Sequence, residues 1–210
     1  MPPTRATYRA TVGSQRVELP IVPLDGERAI ALMMTVDLGV RFTSVAAAEL
    51  ARALAAARPE LVVSVATLGI PVAIEVSRCL GLDDYLILQK SPKVHLRDCL
   101  REPVESITST GIQHLLLDRR RTGAARGRRV VFVDDVISTG ASAVAALRLL
   151  RRAGADVAAI GALLTESDAW RRALGEDAGL VRALGQLPLF RPAAGGGWVA
   201  DPTPAGRPGG

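Results

Sequence analysis

The segment Val130-Val131-Phe132-Val133-Asp134-Asp135-Val136-Ile137-Ser138-Thr139-Gly140-Ala141-Ser142 restricts the fold more than any other part of the chain. Four apolar residues run without alternation into two adjacent acids. Such a run reads as a strand buried on both faces, which belongs in a parallel sheet with helices on either side. The acids stand where the strand ends, and in open α/β sheets the ligand crevice lies outside those ends. Ser138 to Ser142 follow with three hydroxyls and a glycine, and an Ala/Leu-rich helical pattern begins at once. Backbone amides at a helix N-terminus suit a phosphate. Carboxylates beside them suit vicinal hydroxyls, so the expected ligand is a sugar and a phosphate together. A simple helix cap would need one acid or hydroxyl rather than two acids and a hydroxyl-rich loop.

The rest of the chain supports alternating strands and helices, hence a doubly wound sheet. Residues Ala6 to Val22 alternate around Gly13-Ser14, predicting a hairpin. Arg28 to Val36 reads as a short strand. Thr43-Ser44 open an alanine-rich helix that Pro59 ends. Strands are expected at Leu61–Ala66, Asp84–Leu88, Gln113–Leu117, Val130–Val133 and Asp156–Leu164. Helices are expected at Ile70–Leu80, after Ser142 to about Ala153, at Ser167–Leu174 and at Asp177–Leu184. A last strand is read at Leu187–Phe190. Ser91 to Gly111 is polar and aperiodic, and an excursion of that length inside a compact α/β unit is rarely idle. It reads as a mobile flap, a β-hairpin hinged near Gly111. From Pro192 the chain is rich in Pro and Gly and reads as disordered.

Composition excludes some classes. The chain has 210 residues with 49% apolar content, enough for one full core. No apolar run is long enough for a membrane span, and Met1-Pro2-Pro3-Thr4-Arg5 does not begin a signal peptide. Cys79 and Cys99 form neither a disulfide framework nor a metal-ligand pattern. A cytoplasmic protein without a membrane partner is the expectation. Six arginines between Arg119 and Arg129 contribute to the net charge of +5. No aromatic residue interleaves with them for base stacking, so a solvated turn is preferred to a nucleic-acid interface. Of 26 basic residues only Lys90 and Lys93 are lysines, and both fall in Gln89-Lys90-Ser91-Pro92-Lys93-Val94. Compact ammonium groups gathered in one loop suit a polyanion.

The Val130–Ser142 segment closely resembles the phosphoribosyl-diphosphate signature of type I phosphoribosyltransferases. By that resemblance Asp134 and Asp135 hold the ribose hydroxyls and Ser138, Thr139, Gly140, Ala141 and Ser142 wrap the 5-phosphate, with Val136 and Ile137 in the same ribose and 5-phosphate segment. The turn Ala66-Thr67-Leu68-Gly69 matches the position of the family's diphosphate loop, although an ordinary β–α turn reads equally well from its local sequence. Lys90 and Lys93 resemble the basic start of the flap in adenine phosphoribosyltransferases and would meet the diphosphate, with His95 weighed as an ordinary surface histidine. Leu163-Leu164-Thr165-Glu166-Ser167-Asp168-Ala169-Trp170 and Leu184–Phe190 resemble the closing strands of the adenine and xanthine enzymes. Trp170 reads better as a packing residue than as a stacking platform. Two departures stand out. Leu68 occupies a place that many purine enzymes fill with a polar residue. Ser109 stands where the adenine enzymes carry a flap glutamate, leaving Glu102 or Glu105 as substitutes.

The resemblance implies an α/β fold: a doubly wound, mainly parallel five-stranded sheet flanked by helices. It also implies a small N-terminal hood over residues 1–42, a core over 43–191 with its flap near 91–112, and a tail over 192–210. It implies transfer of a phosphoribosyl group from phosphoribosyl diphosphate to a nucleobase, adenine first, with Asp134, Asp135 and Lys90 as the catalytic groups. Mg²⁺ would bind through the substrate and the two acids, and the enzyme would be a homodimer. The alternatives are a phosphoribosyl-diphosphate-sensing regulator on the same fold, or an enzyme for xanthine or a pyrimidine.

Overall fold

The computed structural model describes residues 6–92, 98–104 and 113–201. Its centre is a parallel sheet built from β4 (Leu61–Val65), β5 (Tyr85–Leu88), β8 (Arg129–Ile137), β9 (Asp156–Glu166) and β10 (Val181–Ala183), in the order β10-β9-β8-β4-β5. A sixth short strand, β11 (Gln186–Leu187), also pairs with β9. The apolar run of β8 is buried on both faces, as its lack of alternation requires. Val131 and Val133 pack toward α1 (Gly39–Leu54) and α2 (Gly69–Cys79). Val130 and Phe132 pack toward α4 (Ala141–Arg152) and α5 (Ala169–Leu174).

The chain runs outward from the middle of this sheet in two directions. From β4 it passes through α2 to β5 on one side, and from β8 through α4 to β9 on the other. The strand order therefore reverses between β4 and β8, where such sheets bind ligands. Both candidate loops, Ala66–Gly69 and Ser138–Ser142, leave the C-terminal ends of these two strands.

A second, antiparallel sheet forms the hood. It joins β1 (Thr7–Val12), β2 (Gln15–Pro23) and β3 (Ala29–Ala31) to β12 (Phe190–Pro192) and β13 (Trp198–Ala200). The first hairpin is the one expected around Gly13-Ser14, with Val12 opposite Gln15. The hood is nonetheless not purely N-terminal, because Phe190 pairs with Ala29. Its N-terminal hairpin is fixed to the core through the Gly13 amide, which donates to the Leu184 carbonyl at 3.0 Å.

Several expectations are corrected. The helix expected at Asp177–Leu184 is only partly present. A 3-10 turn spans Gly175–Leu180, and Val181–Ala183 lies along the edge of β9. Gly175 at positive φ breaks the helical path, and an open β9 edge supplies backbone partners that an isolated short helix lacks. The central sheet accordingly gains β10 and β11 and does not include β7 (Gln113–Asp118), which pairs with β6 (Cys99–Val104) in a separate two-stranded sheet. An antiparallel bridge between Gln89 and Leu116 ties this small sheet to the end of β5, and Leu115 and Leu117 pack into the core beside α4. The Pro/Gly-rich segment after Pro192 contains a strand, because β13 finds a partner in β12 and Trp198 packs on the hood core. Trp170 is buried against α4 and its indole N–H donates to the Ser167 carbonyl, so it is a packing residue. Lys93, His95, Glu105, Ser109 and Gly111 lie outside the described residues.

The arginine-rich stretch is tied into the protein at the N-terminal end of β8, away from both loops. Arg119, Arg120 and Arg121 pair with Asp98, Asp118 and Asp84. Arg128 and Arg129 donate to backbone carbonyls of Glu60 and Arg58. Among the described residues no helix is long and apolar enough to cross a membrane.

Candidate active site

A cavity of about 200 Å³ opens at the reversal point. One wall is Ala66, Thr67 and Leu68; another is Asp134 to Ser142; Lys90, at the end of β5, closes a third side. Three loops far apart in sequence thus meet, and each carries the residue types singled out above. The Ala66–Thr67 peptide bond is cis.

Gly69 and Gly140 explain why these loops pack so closely. A side chain at Gly69 would place its Cβ 2.1 Å from the Ser64 hydroxyl and 2.9 Å from Asp134 Oδ1. Only glycine lets the first loop rest against the acid pair. Gly140 has φ of 83° and immediately precedes α4, and a Cβ there would approach the Trp170 backbone to 3.1 Å. It therefore meets both a left-handed conformation and a close approach by α5.

The two acids are unequal. Asp134 is almost fully buried and accepts a hydrogen bond from the Asp135 amide at 3.0 Å. Burial pushes its carboxyl well above the usual range, the neighbouring Asp135 charge adds to this, and Lys90 opposes it. Asp135 is partly exposed; burial raises its carboxyl too, while bonds from its neighbours and the Lys90 charge pull it down. An acid pair of this kind is unfavourable until cationic or hydroxyl-bearing partners arrive. Among the described residues no group of three His, Cys, Asp or Glu side chains is arranged to hold a metal ion. Two adjacent carboxylates beside a phosphate-sized cavity still fit Mg²⁺, which takes its remaining oxygens from substrate and water.

A larger cavity of about 780 Å³ adjoins the first and shares Leu68, Asp135, Val136, Ser138 and Thr139 with it. Its roof is the hood, with Leu24, Ile30, Ala31, Leu32 and Met33, joined by Leu189 from the far end of the core. Asp25 and Arg28 form an ion pair at its rim. Thr35 holds hood and core in register: its hydroxyl donates to the Leu68 carbonyl at 2.8 Å. Leu68 is thus an apolar wall shared by both cavities. On the floor, Ser138 Oγ donates to Glu166 Oε2 at 2.5 Å. Glu166 is 4% exposed, and burial raises its carboxyl while the Ser138 hydroxyl opposes the rise.

Glu102 does not reach either cavity. It is buried on β6 and paired with Arg152, at the C-terminal end of α4, whereas the phosphate loop sits at the opposite end of that helix. Thr35 and Glu166 were not among the site residues expected from the sequence. For Glu166 a signal existed: it ends the apolar run of β9 as Asp134 ends that of β8. Thr35 sits in a hood segment whose approach to Leu68 no local pattern announces.

Residues 44–178 match the family described as phosphoribosyl transferase domain. The chain belongs to this family. It is 37% identical over 99 residues to a hypoxanthine/guanine phosphoribosyltransferase of Methanococcus vannielii, covering 46% of this chain and 48% of that protein. It is 32% identical over 111 residues to an adenine phosphoribosyltransferase of Rhodospirillum centenum, covering 53% and 61%. With a xanthine phosphoribosyltransferase of Brevibacillus brevis it shares 26% identity over 160 residues, 76% of each. The chain spans 48%, 42% and 61% of the first three curated relatives. Solved adenine phosphoribosyltransferases share the fold. That of Rhodothermus marinus superposes with a TM-score of 0.61 at 19% identity, covering 86% of this chain and 94% of that one. That of Thermoanaerobacter pseudethanolicus gives 0.55 at 22%, covering 70% and 84%.

Proposed function

We propose that the protein transfers the phosphoribosyl group of phosphoribosyl diphosphate to a ring nitrogen of a nucleobase, adenine first, releasing diphosphate. The supporting observation is the convergence of Asp134-Asp135, the Ser138–Ser142 loop, the Ala66–Gly69 loop and Lys90 on one cavity at the reversal of the sheet.

In this reading Asp134 and Asp135 accept hydrogen bonds from the ribose hydroxyls, and the amides and hydroxyls of residues 138–142 hold the 5-phosphate. Positive charge grows on the ribose as its bond to diphosphate breaks, and the acid pair lies beside it. Lys90 and the amides of Ala66–Gly69 meet the charge growing on the departing diphosphate. Mg²⁺, held through the diphosphate and the two acids, would supply further charge neutralisation. The base enters the adjoining cavity, whose apolar roof suits a flat heterocycle. Lys93 belongs to the same diphosphate contact. The working form is a cytoplasmic homodimer; exposed Val36, just before α1, and Val40, in its first turn, offer apolar surface for a second copy. Sedimentation at several concentrations tests that part.

The decisive assay supplies phosphoribosyl diphosphate, Mg²⁺ and each nucleobase in turn and measures diphosphate release. Turnover with adenine is expected. Turnover with xanthine or a pyrimidine alone would reassign the acceptor. Tight phosphoribosyl-diphosphate binding without turnover on any base would replace the enzyme with a sensor.

A further inference from the structure

The acceptor nitrogen of a nucleobase carries a hydrogen that must leave as the new bond forms, and the reading above provides no group to receive it. The carboxyl groups among the described residues lining the larger cavity are Asp25, Asp135 and Glu166. Asp25 is exposed and committed to Arg28, which it binds through Oδ2, while its Oδ1 caps the backbone amides of Glu27 and Arg28. Asp135 belongs to the donor side, beside Asp134 and under the influence of Lys90. Glu166 remains. It ends β9 next to β8, and it lies on the floor below the apolar roof.

We propose that Glu166 is the proton acceptor for the nucleobase, with Ser138 orienting its carboxylate. This rests on the proposed transfer reaction and adds a residue to it. In the step, the lone pair of the ring nitrogen forms the bond to the anomeric carbon. The bond from that carbon to the diphosphate oxygen breaks, and its electrons leave with the diphosphate. The N–H bond gives its electrons to the ring, and its proton goes to Glu166. Ser138 is suited to the orienting part because it lines both cavities and donates to Oε2, leaving the second carboxylate oxygen for the base. Burial raises the Glu166 carboxyl above the ordinary range, closer to the working pH, which is where a general base is most effective. The charged groups sharing its cavity are Asp135 on β8 and Asp25 and Arg28 on the hood; the paired strand β11 contributes none.

The test compares wild type with Glu166→Gln, using the base that supports turnover and a fluorinated analogue of that base with a more acidic N–H. Glutamine can still accept the Ser138 hydrogen bond, so a merely positioning role survives the change. The expected result is a fall in turnover of about 10²-fold, with phosphoribosyl-diphosphate affinity and melting temperature unchanged and a smaller penalty on the fluorinated base. Turnover within about threefold of wild type, or an equal penalty on both bases, would overturn the proposal. Should Glu166→Gln melt below the assay temperature, Glu166→Asp replaces it. A retracted carboxyl should slow the less acidic base more, and equal slowing of both overturns the proposal. If wild type itself turns over no base, the proposed reaction falls and this inference with it. An active wild type with an equally active Glu166→Gln removes the inference alone.

Discussion

The two cavities sit side by side and are built in opposite ways. The smaller one is made by loops that leave neighbouring strands of one rigid sheet, and each loop is a short contiguous stretch. The larger one borrows its floor from that sheet and its roof from a hood assembled from both flanks of the core. A phosphate-and-sugar site needs fixed amides and acids, which strand ends supply. A site for a flat, largely apolar ring needs shape, which apolar packing supplies and which can vary without disturbing the sheet. The difference also divides the work: the first cavity gathers Lys90 and the acid pair around one small space, and the second sets Glu166 on its floor beneath an apolar roof.

Substitutions can break or sharpen this division. Asp135→Ala should reduce turnover by about 10³-fold with the fold intact, as checked by circular dichroism and steady-state kinetics. Lys90→Ala should slow diphosphate release by about 10²-fold and leave the KM for the base unchanged; a changed KM with unchanged turnover would move Lys90 out of the donor half. Gly69→Ala should cost about 1–3 kcal/mol in denaturant unfolding, because the added methyl meets Ser64 and Asp134. Met33→Ala, in the roof, should shift the ratio of kcat/KM between two bases by about tenfold while sparing phosphoribosyl-diphosphate affinity.

The smallest effect concerns stability. Asp134 has a carboxyl held well above its usual range by burial and by Asp135. The folded protein therefore holds a proton that the unfolded chain releases near pH 4. Stability is fullest below that point and declines as pH rises toward the raised folded value. Asp134→Asn should lift the melting temperature at neutral pH by about 2–4 °C per kcal/mol relieved, and the gain should vanish in acid. It should also weaken phosphoribosyl-diphosphate binding, since the strained acid is the one placed to serve the ligand.

Legibility in the sequence followed the same division. Val130 to Ser142 announces its strand, its acids and its loop because every requirement there is local: burial on two faces, a strand end, a glycine before a helix. Lys90 stood out through the scarcity of lysine. The hood showed only its N-terminal part, since β13 reads as a Pro/Gly-rich tail until its pairing with β12 is known, and that pairing is set by where β12 meets β3. Val181–Ala183 reads as helix for the same reason: its periodicity is ambiguous, and the deciding partner, β9, is distant in sequence. Glu102 is a reminder that a carboxylate in an apt stretch is not yet in the site, because Arg152 holds it at the wrong end of α4.

The pairing of Phe190 with Ala29 has a temporal consequence. Strands of the sheet that frame the acid pair are all made before Phe190 leaves the ribosome, whereas the roof strand β3, already paired with β2, waits for its second partner about 160 residues downstream in synthesis. A growing chain can thus carry a finished phosphate cradle while its ring-binding chamber is still open on one side. On the proposed function, discrimination between bases would be the last property the newborn protein acquires.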